Sequence, residues 1–188
     1  MQPTEKNSTV TIRDAEPIDR PQLRRAVVEL QEYERYLHDT RLPGEQIVDA
    51  YLAWIETQIG EGGVLLVAEI DRRFVGFIAG WIEHNDAITE TPDSNRFGYI
   101  SDVYVLPEFR GQRIATRLLS AIEERLSRAG ITRIRVYSLA ANATRELLHE
   151  LINFPRHAHI RRVCGGKTIV SRRRQRPILA RWRVRGRG

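Results

Sequence analysis

The sextet Arg110-Gly111-Gln112-Arg113-Ile114-Ala115 joins two segments of different character. The residues before it, Val103 to Leu106, are typical of a strand, and those from Gln112 onward repeat apolar side chains as a helix does. A helix N-terminus carries backbone N–H groups without intrahelical partners and a partial positive charge, so it can hold an anion such as a pyrophosphate. Gly111 would let a ligand approach the backbone closely. An ordinary strand-to-helix connection is the alternative.

The flanking segments predict an α/β fold with a mixed, mostly antiparallel sheet and helices on both faces. A two-residue period or an apolar run predicts the strands, and a three-to-four-residue period predicts the helices. The segment 131–139 follows a helix that follows a strand, which implies a right-handed crossover between two parallel strands. Strands are predicted at Val10–Arg13, Val64–Ile70, Phe74–Glu83, Phe97–Leu106 and Ile131–Leu139, and helices at Glu16 to about His38, around Ile47–Ile59, at Gln112–Ala129 and at Asn142–Leu151.

Composition excludes several classes of protein. The 188 residues suit one domain with a core of its own. No apolar run is long enough to cross a bilayer, and the polar start of the chain does not look like a secretory signal. Cys164 is the single cysteine, which excludes a disulfide framework and favours a cytoplasmic protein. Nothing in the sequence predicts a metal site or a membrane contact.

Charge is divided unevenly along the chain. The segment from Pro155 to Gly188 holds eleven Arg, one Lys and no Asp or Glu. The first 154 residues therefore hold 18 basic and 24 acidic residues and are net acidic, although the whole chain is at +6. A basic composition thus gives no reason to expect nucleic-acid binding by the body of the protein.

The sextet and a second motif together resemble the GNAT superfamily of acetyl-CoA-dependent N-acetyltransferases. That family places Gln/Arg-x-x-Gly-x-Gly/Ala between its fourth strand and the following helix, and the element order is the same. Here Arg113 stands at the central glycine of the pattern. The second motif runs from Asn142 through Leu148-His149-Glu150 to Asn153-Phe154, where the family has Leu-Tyr-Glu and Gly-Phe. The resemblance covers roughly residues 10–154 and implies a splayed pair of parallel strands.

The resemblance implies roles for residues at both motifs. The sextet would bind the pyrophosphate of acetyl-CoA, mostly through backbone N–H groups, and Asn142 would bond the cofactor or simply cap its helix. A backbone N–H among Val103, Tyr104 and Val105 would support the thioester oxygen as negative charge develops. His149, at the family's tyrosine position, would protonate the leaving thiolate, since an imidazole titrates near pH 6.5. A solvated histidine is the alternative.

The sequence indicates the general base and the acceptor less directly than it indicates the acetyl-CoA site. Strand alternation puts Tyr99, Ser101, Val103 and Val105 on one face, which in related enzymes meets the substrate, with Asp102 and Tyr104 on the other. The predicted substrate face has no carboxylate, so a water chain through Tyr99 and Ser101 is proposed for proton removal. Acidic residues on the first helix suggest a cationic amine acceptor, with a solvated acidic face as the alternative.

The predicted domain map has three parts. Residues 1–9 form an N-terminal segment, 10–154 an acetyltransferase domain, and 155–188 an Arg-rich tail. The tail is interpreted as an arm that binds nucleic acid or the ribosome, as a disordered segment, or as the product of a shifted reading frame. The function predicted is acetyl transfer to an amine of a small molecule or protein, by a monomer or homodimer. The rival is a catalytically impaired protein of the same fold that binds nucleic acid through its basic arm.

Overall fold

A computed structural model describes residues 9–139 and 159–163. Six strands form one sheet in chain order, with antiparallel pairing from β1 to β4 and parallel pairing from β4 to β6. The strands are β1 (Val10–Asp14), β2 (Val64–Ile70), β3 (Arg73–His84), β4 (Arg96–Val105), β5 (Ile134–Leu139) and β6 (His159–Val163). The predicted mixed sheet is therefore confirmed.

Four α-helices accompany the sheet in the described part of the chain. They are α1 (Arg20–Leu37), α2 (Gly44–Gly60), α3 (Pro92–Asn95) and α4 (Ile114–Arg128). A short 3₁₀ turn, Pro17–Asp19, precedes α1, and another, Pro107–Phe109, precedes α4. The short α3 lies in the segment between β3 and β4 that the sequence predicts to be a loop. The helix predicted at 142–151 lies outside the described residues.

Helices cover both faces of the sheet, as predicted. On one face α4 packs Leu118, Leu119 and Ile122 against strand residues such as Ile78 and Ile100. On the other face α1 and α2 pack Leu23, Val27 and Leu52, among others, against strand residues that include Phe77 and Tyr104. The two clusters are called here the α4 face and the α1/α2 face.

A clamp of charges holds the first strand to its neighbours. The guanidinium of Arg13 donates to both carboxylate oxygens of Asp19, at 2.7 and 2.9 Å, and to Glu69 on β2. Asp19 also accepts the backbone N–H of Glu16 at 2.8 Å. Hydrogen bonding from Arg13 is the main reason that the pKa of the Asp19 carboxyl lies below its ordinary value. This clamp fixes where α1 begins.

The hairpin between β2 and β3 is tighter than the predicted three-residue connection. Ile70 pairs with Arg73, so the turn has two central residues, Asp71 and Arg72. Both have positive φ, 50° and 63°, which is the geometry of a type I′ turn. This turn type matches the twist of the two strands that it joins.

The sheet continues past residue 154, where the sequence analysis ends the domain. β6 pairs in parallel with β5 from Arg135 onward, with His159 opposite Arg135 and Val163 opposite Leu139. The tail was expected to contact the sheet at most around residues 160–163 or 169–170, and β6 overlaps the first of these ranges. No helix in the described residues is long and apolar enough to cross a membrane.

Candidate functional site

The parallel strands β4 and β5 pair only over three residues at their beginnings. Gly98, Tyr99 and Ile100 are opposite Ile134, Arg135 and Val136, and within the described residues no further pair joins β4 to β5. The two strands therefore diverge toward their carboxyl ends, as the resemblance implies. Ligands of open sheets with parallel strands bind at such a crevice.

The hydrogen-bonding register of β4 directs two free N–H groups into this opening. Leu106 donates its N–H to the carbonyl of Val75 at 2.9 Å, and in an antiparallel pair such bonds alternate along the strand. The N–H groups of Val103 and Val105 consequently point away from β3, to the side that β5 has left. They are in the position predicted for donors to a developing oxyanion.

The sextet folds as an open turn into α4. Gly111 has φ 79°, and a Cβ built on it would meet no heavy atom within 4 Å. Arg113 has φ 58° and precedes the first helical residue, Ile114. Its carbonyl accepts the N–H of Arg117 at 3.1 Å, which is the first i→i−4 bond of the helix. The N–H groups that precede Arg117 in the first turn therefore have no intrahelical partners.

The side chain of Arg110 folds back onto β4 and leaves this turn open. Its Nε donates to the carbonyl of Val105 at 3.0 Å, and its guanidinium lies 5.8 Å from the ring centroid of Tyr104. Residues 110 to 113 are exposed, whereas Ile114 is buried on the α4 face together with Val103 and Val105. The free N–H groups of α4 thus lie beside the end of β4, where the two strands have separated.

A β-bulge in β4 changes which side chains share a face. Asp102 is opposite Ala79 and Ile100 is opposite Gly80, so Ser101 is an extra residue on β4. Its hydroxyl donates to the carbonyl of Ala79 at 3.3 Å. A Cβ on Gly80 would lie 2.7 Å from the Tyr99 carbonyl oxygen, so only glycine fits there without a shift.

The prediction that Tyr99, Ser101, Val103 and Val105 share one face was therefore wrong. Strict alternation fails across an inserted residue, because each position beyond it moves to the opposite face. Val103 and Val105 pack on the α4 face, whereas Tyr99 contacts Trp81 and lies with Asp102 on the α1/α2 face. The substrate face that was predicted to lack a carboxylate carries Asp102.

Asp102 is the buried acid of this face. Its relative exposure is 7%, and the hydroxyl of Tyr51 on α2 donates to its two carboxylate oxygens at 3.0 and 2.8 Å. Burial raises the pKa of the Asp102 carboxyl above its ordinary value, although hydrogen bonds from Ser101 and Tyr51 and the charge of Arg41 favour the carboxylate. A buried acid whose pKa is raised is a candidate for proton transfer.

Acidic residues of α1 lie on the same face of the sheet as Asp102. Glu34 forms an ion pair with Arg41 at 2.8 Å, and burial together with the charge of Asp102 raises the pKa of the Glu34 carboxyl. Glu29 accepts a hydrogen bond from the hydroxyl of Tyr104. The acidic helix predicted from sequence is therefore partly engaged with the strand rather than wholly solvated.

Comparison with protein families decides the class of this site. Residues 27–163 match the family described as Acetyltransferase (GNAT) family, which is well over half of the chain. The chain belongs to this family. A relative from Archaeoglobus fulgidus, described as an uncharacterized N-acetyltransferase, is 35% identical over 98 residues. The match spans 50% of this chain and 60% of that relative's length.

Solved structures of GNAT proteins have the same fold. A GCN5-related N-acetyltransferase from Ralstonia eutropha has a TM-score of 0.62 at 17% identity, over 78% of this chain and 94% of that one. An aminoglycoside N-acetyltransferase in complex with CoA has a TM-score of 0.62 at 19% identity, over 88% and 98%. A predicted acetyltransferase from Clostridium acetobutylicum, solved with acetyl-CoA, has a TM-score of 0.57 at 21% identity, over 69% and 81%.

Acetyl-CoA is the co-substrate of the GNAT family, and the geometry of this chain fits it. The open first turn of α4 can accept a pyrophosphate, and the gap between β4 and β5 can accept an extended chain that adds hydrogen bonds along β4. Two further residues predicted for this site, Asn142 and His149, lie outside the described residues. Within the part of the chain that the structure describes, no group of three or more His, Cys, Asp or Glu could hold a metal ion.

The Tyr51–Asp102 pair is what the sequence analysis missed. Strand alternation put Asp102 on the face opposite Tyr99, and no role was predicted for Tyr51 in the helix around Ile47–Ile59. Gly80 is the signal that could have revealed the bulge, because an isolated glycine in a strand often marks one.

Proposed function

We propose that this protein transfers the acetyl group of acetyl-CoA to an amine of a small molecule or protein. The observation that supports this most is the arrangement around β4. Strand N–H groups from Val103 and Val105 face the cleft beside the open turn of α4, and the raised-pKa carboxyl of Asp102 lies on the α1/α2 face of the same strand.

Backbone N–H groups would bind acetyl-CoA. The N–H groups of residues 111–115 would hold the pyrophosphate, with the helix dipole of α4 adding to the attraction. The N–H groups of Val103 or Val105 would donate to the thioester carbonyl oxygen. Donors fixed before the reaction stabilise the developing oxyanion without reorganisation, and each is typically worth about 3–4 kcal/mol of barrier.

The acceptor half requires two proton movements. Asp102 would take one proton from the substrate ammonium, directly or through a water held near Tyr99 and Ser101, because only the neutral amine is a nucleophile. The amine nitrogen then bonds to the carbonyl carbon, the C–S bond breaks, and the second amine proton passes to solvent water. The leaving thiolate takes up a proton, which the sequence analysis assigns to His149.

Two measurements test the proposal. Calorimetry with acetyl-CoA should show one site with a micromolar or tighter dissociation constant, and thiol release should depend on added amine and on pH. The variant Asp86→Asn, at an exposed position, serves as the control for Asp102→Asn. If a folded sample shows no binding at high micromolar acetyl-CoA, the proposal is wrong.

A further inference from the structure

Four aromatic side chains form a continuous row across the α1/α2 face. Tyr51 and Trp54 on α2 have ring centroids 5.4 Å apart. Trp54 then meets Trp81 on β3 edge to face at 4.9 Å, and Trp81 meets Tyr99 on β4 at 5.3 Å. The row therefore links α2 to the part of β4 that lies immediately before the bulge.

Three members of the row lie outside the apolar cluster of this face, against which the fourth, Tyr51, packs. Trp54, Trp81 and Tyr99 are not members of the cluster around Phe77 and Leu52. Trp81 is almost fully covered, at 3% exposure, whereas Tyr51, Trp54 and Tyr99 are only partly buried. The row thus offers partly open ring surface on the face where the acceptor is proposed to bind.

Carboxylates accept hydrogen bonds from two members of the row, Tyr51 at one end and Trp81 in its middle. Tyr51 donates its hydroxyl to Asp102, and the indole N–H of Trp81 donates to Glu83 at 2.8 Å. Arg41 is the cation near Asp102, and Glu34 engages it at 2.8 Å. An ammonium would be attracted both by the carboxylates and by the ring faces, whereas a phosphate or carboxylate on the acceptor would be repelled.

We propose that the acceptor is a small primary amine whose only charge is its ammonium group and whose body is aromatic. This inference rests on the proposed function and narrows its substrate class. Asp102 binds the ammonium, and the rings of Tyr51, Trp54 and Tyr99 contact the body. Aromatic contacts of this kind favour a flat partner over a flexible alkyl chain of equal charge.

The test compares acceptors in a thiol-release assay with the full chain and saturating acetyl-CoA. The probes are 2-phenylethylamine, butylamine, the diamine putrescine, and glucosamine 6-phosphate as an anionic amine. We expect kcat/KM for 2-phenylethylamine to exceed that for butylamine and putrescine at least tenfold, with the phosphate-bearing amine poorest. Preference for putrescine or for the phosphorylated amine would overturn the inference and leave the proposed function intact.

Substitutions at Trp54 separate recognition from folding. Trp54→Leu should lower kcat/KM for 2-phenylethylamine about tenfold, mainly through a higher KM, and change butylamine less than threefold. Trp54→Phe should restore most of the preference, because it keeps a ring in the row. An equal loss for every amine would mean that the row only supports the fold, and the inference would be wrong.

The same experiment distinguishes this inference from the function on which it rests. Acetylation of other amines without turnover of 2-phenylethylamine contradicts the inference alone. If acetyl-CoA binds but no amine of any class is acetylated, the proposed function is contradicted, and the inference is contradicted with it.

Discussion

At the scale of single residues, Asp102 is an acid whose burial costs the fold free energy. A buried carboxylate is unfavourable unless hydrogen bonds or a cation compensate for its lost hydration. Here Tyr51 and Arg41 compensate only in part, since the pKa of Asp102 remains above its ordinary value. A group that is destabilised in the folded state and lies beside a cleft is typical of a functional site rather than of a structural ion pair.

Replacing Asp102 with Asn should therefore separate stability from activity. The folded-state pKa of Asp102 exceeds the unfolded value, so stability falls as pH rises between those two values and is not recovered above them. Asp102→Asn should remove this fall and melt at a higher temperature at neutral pH, while losing about 10²–10⁴-fold in kcat/KM. Thermal melts across pH and thiol-release rates measure both effects. A variant that is destabilised but fully active would contradict this account.

Tyr51 should tune the ionisation of its partner. Its hydroxyl donates to both oxygens of Asp102 and so favours the carboxylate. Tyr51→Phe removes that donor, which should raise the pKa of Asp102 further. The acidic limb of the pH profile of kcat/KM should consequently move to higher pH. A limb that stays in place would show that Asp102 is not the group whose ionisation limits the rate.

Arg113 has an unfavourable backbone conformation at the start of α4. Its φ of 58° lies in the left-handed region, which costs an L-residue about 1–2 kcal/mol but costs glycine little. Arg113→Gly should therefore leave the free energy of unfolding unchanged or raise it by up to about 1 kcal/mol, and it should preserve acetyl-CoA binding. Gln112→Gly is the matched control and should lower stability, because Gln112 is not among the residues with positive φ. Loss of acetyl-CoA affinity in Arg113→Gly would show that the side chain itself binds phosphate.

At the scale of elements, β4 shows where prediction from sequence succeeds and where it fails. The order and approximate bounds of the elements follow from apolar periodicity, and the divergence of β4 from β5 was correctly expected from the resemblance. The prediction of the face on which Tyr99 lies was wrong, because alternation assumes an uninterrupted strand. The bulge at Ser101 depends on how β4 pairs with β3 around Gly80. The Tyr51–Asp102 bond joins residues far apart in sequence, and no local pattern encodes such a contact.

The clamp between β1 and the start of α1 gives a prediction for the element scale. Asp19→Asn replaces a charged acceptor of two Arg13 hydrogen bonds with a neutral one, and it should lower the free energy of unfolding by about 2 kcal/mol. The pKa of Asp19 is lowered in the folded state, so its contribution is present above the ordinary Asp pKa and is lost as pH falls below it. Denaturant melts at neutral and acidic pH should show a smaller difference between wild type and variant at the lower pH.

A matched control for that clamp lies on the same strand. Asp14 forms an exposed ion pair with Arg125 at 2.8 Å, and both side chains are more than 40% exposed. Asp14→Asn should change stability by less than about 1 kcal/mol, as is usual for a surface pair. If the two substitutions cost the same, the clamp is no stronger than a solvated pair, and its proposed role in fixing the start of α1 is wrong.

At the scale of the whole molecule, the change from acidic to basic composition and the end of the described sheet fall at different residues. Basic residues without acids begin at about residue 155, but the sheet and the family match both extend to Val163. Arg161 and Arg162 thus belong to a strand, although they are part of the basic composition that suggested a separate tail. We propose that the acetyltransferase domain ends close to Val163.

Two shortened chains test this boundary. A chain that ends at Val163 keeps every strand of the described sheet, whereas one that ends at residue 158 lacks β6 and exposes the edge of β5. We expect the first to bind acetyl-CoA with unchanged affinity and to melt within a few degrees of the full chain, and the second to be clearly less stable. If both shortened chains match the full chain, β6 does not support the domain. If the chain that ends at Val163 already loses acetyl-CoA binding, the residues after 163 belong to the acetyltransferase domain. The described sheet is the same in that shortened chain and in the full chain, so it would not explain the loss.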